Sequence, residues 1–185
     1  MAAACETPRI CGIMGEKGKE NVMKLTTLCY IERDGCYLMM HRIKKDQDEN
    51  AGKWIGIGGH LEKDESPEEC VLREIREETG LAVTDLKLRG LITFILPDWG
   101  NELTFLYTAR TGGEVPAERL DGPEGILRWV PIPEVDGLAL WEGDRVFLPL
   151  LRERGDCFSL KLTYLPGGAL AEAVLDGTPV CAGTR

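Results

Sequence analysis

Apolar and polar positions change period several times along the chain, and each change marks an element. From Lys24 to Ile31 the run KLTTLCYI is β-branched and apolar. Asp34-Gly35 follows, then CYLMMHR, and together these predict a hairpin of two strands around a tight turn. KKDQDENAGK, at 44–53, is charged and reads as a solvated loop, and the glycine-rich WIGIGGH comes next. Ser66, Pro67 and Glu69 spell the start of a helix: a capping hydroxyl, a proline suited to the first helical position, and the glutamate that completes a capping box. Gly80 ends this helix, and Val71, Leu72 and Ile75 give it one apolar face.

LKLRGLITFIL and ELTFLYTAR read as two further strands joined by the turn PDWGN. A loop rich in Gly, Pro and acids at 112–125 leads to the short strand ILRWVP. Glu142–Glu153 carries Val146, Phe147, Leu150 and Leu151 at helical spacing, which predicts a second helix that tolerates Pro149 poorly. CFSLKLTYL, the turn PGG and ALAEAVL close the pattern as a last pair of strands. With no repeat and no interior linker, the expectation is one mixed α/β domain over residues 23–175, a flexible leader at 1–22 and a flexible tail at 176–185.

Composition narrows the function. At 43% hydrophobic and 29% charged, the 185 residues are an ordinary globular mixture. No apolar run approaches the roughly 18 residues of a membrane span, and the N-terminal stretch lacks a secretory apolar region, so no membrane partner and a cytoplasmic location are expected. Asp plus Glu number 31 against 22 for Lys plus Arg, a net charge of −9. Without a clustered basic stripe, long nucleic acid is a poor partner, whereas a small polyphosphate is compatible because a bound divalent cation inverts the local field. The seven cysteines form no C-x-x-C pair and read as reduced packing residues, and His41 and His60 leave little room for a histidine metal site.

The chemistry concentrates on the first helix. Glu74, Glu77 and Glu78 lie three and four residues apart, so they project together beside the apolar stripe. A charged helix surface braced by Arg73 and Arg76 would account for that alone. The loop before it carries the stronger signal: GHLEKDESPEECVLREIREETGL places Gly59, Glu65, Arg73, Glu74, Glu77, Glu78 and Gly80 at fixed intervals, with Ile75 and Leu81 aliphatic. This resembles the Nudix box, G-x5-E-x7-R-E-U-x-E-E-x-G-U, at every specified position. On typical residue frequencies a chance match has a probability of about 10⁻⁷ for a chain of this size. Mg²⁺ prefers carboxylate, carbonyl and water oxygens and shares them with substrate phosphates, which is what such a helix and a glycine loop can supply.

The resemblance implies a Nudix-type α/β/α sandwich with a mixed sheet and a loop–helix–loop motif, acting on a small nucleotide with Mg²⁺, or Mn²⁺ in its place. It implies Glu74, Glu77 and Glu78 as metal ligands with the Gly58 carbonyl, Glu74 also orienting or deprotonating water. Glu65 would support the metal network and Arg73 would brace the carboxylates. Beyond the box the chain is similar to the MutT-like group, closest to the 8-oxo-dGTP diphosphatase type, over about 24–175. That similarity adds Glu124 as a further acidic ligand and Trp141 and Asp144 as a purine pocket, with Ile55 and Gly59 beside the substrate. Other readings stand next to these: Glu124 as a solvated loop acid, Trp141 as core, and Asp144 as the N-cap of the second helix. Ile55 stands where an amide often bonds the base in such enzymes, and Gly143 where a second pocket acid can occur, so fewer groups read the base edge. Hydrolysis of another nucleoside diphosphate-linked compound such as ADP-ribose, or nucleotide sensing without cleavage, are the alternatives.

Overall fold

The computed structural model of the protein describes residues 22–44 and 50–180. The leader expected at 1–22 lies outside the described residues except for Val22, as do the middle of the 44–53 loop and the last five residues. The described strands are β1 (Lys24–Arg33), β2 (Cys36–His41), β3 (Trp54–Ile55), β4 (Thr84–Ile95), β5 (Glu102–Arg110), β6 (Ile126–Pro131), β7 (Phe158–Tyr164), β8 (Leu170–Leu175) and β9 (Thr178–Val180). The helices are α1 (Pro67–Thr79) and α2 (Asp144–Glu153).

The strands form one mixed sheet in the order β3-β2-β1-β5-β4-β7-β8-β9, with β6 on the free side of β2. β1 pairs parallel with β5 over nine residues, from Lys24↔Glu102 to Glu32↔Arg110. Asp34 and Gly35 both have positive φ, the geometry of the predicted hairpin turn.

Because successive strand residues point to opposite faces, each central strand feeds two cores. Tyr30, Tyr37, Met39, Ile92, Leu106 and Leu160 pack with Phe147, Leu148 and Leu151 of α2. Cys29, Ile31, Leu38, Met40, Tyr107 and Ala109 pack with Val71 and Ile75 of α1. The two helices therefore cover opposite faces, and the expected α/β/α sandwich is the observed one.

Three local expectations change. Leu72 is 39% exposed, because α1 turns Cys70, Val71, Ile75 and Thr79 inward and leaves Leu72 on its flank. The second helix starts at Asp144 rather than Glu142, and it contains Pro149. The sheet does not stop at 175: Asp176 and Gly177, both with positive φ, turn the chain into β9, which pairs antiparallel with β8. No described helix is long and apolar enough to cross a membrane.

Candidate active site

The loop before α1 runs along β1 almost as an extra strand. Cys29 and Ile57 exchange backbone hydrogen bonds, and Thr27 N–H donates to Gly59 O at 2.8 Å. This close approach explains the glycines: a Cβ at Gly58 would overlap the Thr27 carbonyl, and one at Gly59 would run into the Glu74 carboxylate. Ser66 then caps α1, with both halves of the capping box formed. Loop and helix are thus fixed at adjoining ends, and Glu74 and Glu78 of α1 face the glycines.

Arg73 is the hub of this junction. Its Nε and Nη2 donate to the two oxygens of Glu65 at 2.7 and 3.0 Å. Its Nη1 donates to Glu74 at 2.7 Å and to Glu77 at 3.2 Å, and Nη2 also reaches His60 O at 3.2 Å. Glu65 accepts a further bond from Glu62 N–H, and these bonds, Arg73's first, hold its carboxyl down at about 2. The same bonds raise Arg73 above its usual range. Such fork-to-carboxylate bonding fixes geometry as well as charge.

Glu78 has the opposite environment. Its Oε2 is buried and has no hydrogen-bond partner among the described atoms. Burial first, then the negative charges of Glu124 and Glu74, push its carboxyl up to about 8, opposed by Arg42 and by a bond from the Gly58 N–H. Arg42 Nη1 donates to Glu124 Oε2 at 2.5 Å. Glu77 points outward, its side chain 61% exposed. No three His, Cys, Asp or Glu side chains among the described residues already surround one point closely enough to hold an ion. The donor set nevertheless fits a hard divalent cation: a buried, partnerless carboxylate oxygen, two more carboxylates bearing on it, and a glycine loop that leaves room for backbone approach.

These carboxylates lie in the wall of a cleft of about 1160 Å³. Its floor is the α2-side face of the sheet where α2 no longer covers it. Lys24, Thr26 and Leu28 of β1, Thr104 of β5 and Phe94 of β4 all line it. Gly58, Gly59, Glu74, Glu78, Glu124, Arg42 and Arg73 also line it, as do Ile55, Trp141, Asp144 and Tyr164. A second cavity of about 390 Å³ touches Glu74, Glu77, Glu78 and Glu124 from another side. Of the metal, catalytic and substrate residues expected from sequence, Glu65 and Glu77 line no part of the large cleft and the others do; Gly143 does not.

Trp141 is partly buried and held from several directions. Its Nε1 donates to Asn50 Oδ1 at 2.8 Å, the Lys53 ammonium sits 4.6 Å from the ring centroid, and Tyr164 meets its edge at 82°. Asp144 is the first residue of α2, whose N-cap is Gly143 and has no side-chain capping bond, so Asp144 is not the cap. It is 5% exposed, its Oδ2 has no partner, and burial raises its carboxyl to about 7. Gly143 N–H donates to Tyr164 Oη at 2.9 Å, and a Cβ there would strike that oxygen and Leu162. The packing thus excludes a second acid at 143.

Sequence reasoning missed Arg42, Asn50, Lys53, Phe94 and Tyr164. Arg42 and Tyr164 had weak signals: a basic residue directly after a strand, and an aromatic on the inward register of β7. Asn50 and Lys53 had none, because a polar loop residue gives no hint of which distant ring it will meet.

Comparison with known proteins agrees with this geometry. The family model described as NUDIX domain matches residues 23–151. An uncharacterized Nudix hydrolase, YvcI of Bacillus subtilis, is 28% identical over 160 residues, covering 83% of this chain and 95% of its own. The oxidized purine nucleoside triphosphate hydrolase of Danio rerio is 29% identical over 131 residues, covering 71% and 81%. Among solved structures, a mutator MutT protein from Bacillus halodurans superposes with a TM-score of 0.73 at 26% identity, covering 85% of this chain and 100% of its own. The matched family model contains the whole box and most of the sandwich, and the chain belongs to the Nudix hydrolase family.

Proposed function

We propose that the protein hydrolyses a purine nucleoside triphosphate to the monophosphate and pyrophosphate in a Mg²⁺-dependent reaction, with an oxidised purine such as 8-oxo-dGTP as its preferred base. The observation that carries this reading is the partnerless buried oxygen of Glu78, set beside Glu74 and Glu124 in a cleft that also holds Trp141 and Asp144. Glu74, Glu77, Glu78, Glu124 and the Gly58 carbonyl would hold the divalent ion, Mg²⁺ or Mn²⁺, which when bound neutralises phosphate charge and polarises phosphorus.

The chain's own groups do the rest. Glu74 orients a water and takes its proton as the oxygen attacks phosphorus, and the bridging P–O bond breaks to release pyrophosphate. Arg73 holds Glu74 in place, and Glu65 holds Arg73, so both are positioning residues. Trp141 offers its ring to the base, and Asp144, protonated up to about 7, is suited to hydrogen-bond a base edge. Ile55 and Gly59 line the space between. The Danio rerio relative's name supports the oxidised-purine assignment.

A second reading has its own observation. The cleft, about 1160 Å³, exceeds the roughly 300–1,000 Å³ of ordinary ligand pockets and continues past Thr104 to Glu102 and Trp99. That extra room favours a nucleoside diphosphate carrying a further group, such as ADP-ribose. The intact carboxylates speak against a sensor without catalysis.

The deciding experiment measures phosphate-bond cleavage over 8-oxo-dGTP, the ordinary dNTPs and ADP-ribose, with and without Mg²⁺. A kcat/KM for 8-oxo-dGTP more than tenfold above the others, abolished by chelation, is expected. Preference for ADP-ribose would move the assignment to the second reading, and no turnover of anything would overturn both.

A further inference from the structure

Arg42 and Glu124 are brought together by backbone, not by chance contact of long side chains. β2 ends at His41, whose partner in β6 is Ile126, and a Cβ at Gly125 would overlap the His41 carbonyl. The main chain of Arg42 is clamped as well, its N–H donating to Lys53 O at 2.9 Å and its carbonyl accepting from Gly52 N–H at 2.6 Å. Only the side chain is left to move. It is mostly buried, at 13% exposed, and it donates to Glu124 Oε2 at 2.5 Å inside the cleft that also holds Glu78 and Glu74.

This arrangement conflicts with a divalent cation at Glu124. An ion coordinated to that carboxylate at about 2.0–2.1 Å would lie within a few ångströms of the guanidinium. Two like charges so close in a partly buried site repel strongly. Arg73 can stay beside metal-ligating carboxylates because Glu65, Glu74 and Glu77 share its charge, whereas the Arg42 guanidinium on Glu124 is displaced as the ion arrives. The anion that then shares the cleft is the substrate's phosphate chain, and the planar fork of an arginine matches phosphate oxygens in two-bond geometry.

We propose that Arg42 is an exchange cation: it holds Glu124 in the metal-free protein and passes to the substrate's phosphates when a divalent ion takes that carboxylate. The consequence is coupled binding. Metal frees Arg42 for nucleotide, nucleotide draws Arg42 away from the metal's ligand, and linkage requires the two effects to be equal. The inference rests on the proposed role of Glu124 as a metal ligand.

The test measures Mn²⁺ binding to the 185-residue chain by the electron spin resonance signal of free Mn²⁺. It is run with and without the α,β-imido analogue of dGTP, for the wild type, Arg42→Gln, Arg42→Lys, Lys161→Gln and Glu124→Gln. Arg42→Gln should bind Mn²⁺ alone about tenfold tighter than wild type, while the gain in affinity brought by the nucleotide shrinks at least fivefold. Lys161→Gln removes one charge from a surface ion pair with Glu172 outside the cleft, and it should stay within twofold of wild type. If Arg42→Gln behaves like Lys161→Gln, the exchange is wrong. If Arg42→Gln does not fold, Arg42→Lys decides: a shrunken nucleotide effect supports the exchange, and an unchanged one sinks it. Unaltered Mn²⁺ affinity in Glu124→Gln would instead remove the metal role of Glu124, a separate failure that takes the exchange down with it.

Discussion

Asp144 and Glu78 are two buried carboxyls with raised titration, and each destabilises the folded chain once ionised. Their ordinary values are 3.8 and 4.5, raised to about 7 and about 8. A group shifted this way lends its full stability below its unfolded value and loses it as pH rises through its folded one. The metal-free protein should therefore melt at progressively lower temperature between about pH 4 and pH 8. Asp144→Asn, which cannot ionise, should be more stable than wild type above pH 7 by about 1–3 kcal/mol, because only the wild type then buries a charge. Thermal melts of the two proteins across that range decide it; equal midpoints at pH 8 would contradict the burial argument. Glu78 adds a different signature. If Glu78 is a ligand as proposed, its proton must leave before a cation can bind, and Mn²⁺ affinity should rise with pH up to about 8 and level off above it. Calorimetry at pH 7 in two buffers of unlike ionisation heat should detect the released proton. Glu74, Glu77 and Glu78 were legible because their spacing puts them on one helix and the loop before it completes the resemblance to the Nudix box. Arg42 was not, since its partner lies 82 positions away.

Among elements, α1 and its loop were the most legible. Ser66, Pro67, Glu69 and Gly80 are local chemical signals, and all act as such. Ser66→Ala removes one cap bond and should cost about 1 kcal/mol. For a chain of this size that is a fall of about 2–4 °C in the melting midpoint, with kcat nearly intact. Gly59→Ala should do the reverse. Its new methyl group meets the flexible end of Glu74, so the fold survives while kcat falls by about 10–100-fold, the usual cost of disturbing a supporting group around a metal site. A kinetic and thermal comparison of the two variants separates holding the helix from aiming its carboxylate. Strand β9 shows where local reading failed. Asp176-Gly177 carries the same turn signal as Asp34-Gly35, but only three residues follow it in the strand, too short a run to show alternation.

At the scale of the molecule, the matched family region ends at 151 while the core does not. Phe158, Leu160, Leu162 and Ala173 are buried, and β7 pairs parallel with β4. A chain stopped after Glu153 would expose the edge of β4 and strip the α2-side core of these side chains. It should lose the cooperative melt of the full chain, as followed by circular dichroism, and retained cooperativity would show the last strands to be an accessory. The fold class was legible because both helices and most strands have strong periods; sheet order was not, because pairing between distant strands leaves no local mark.

The pairing of β1 with β5 joins residues 78 positions apart, and the loop it closes contains the whole Nudix box. Glycine loop, capped helix and carboxylates can form locally, but the cleft floor of Thr26 and Thr104 exists only once that closure is made. Closure of so long a segment is entropically slow and gains nothing until the strands dock. On refolding from denaturant, helical signal should therefore return before nucleotide binding does. Enzymatic competence would emerge as the last event of folding, making activity a reporter of complete topology.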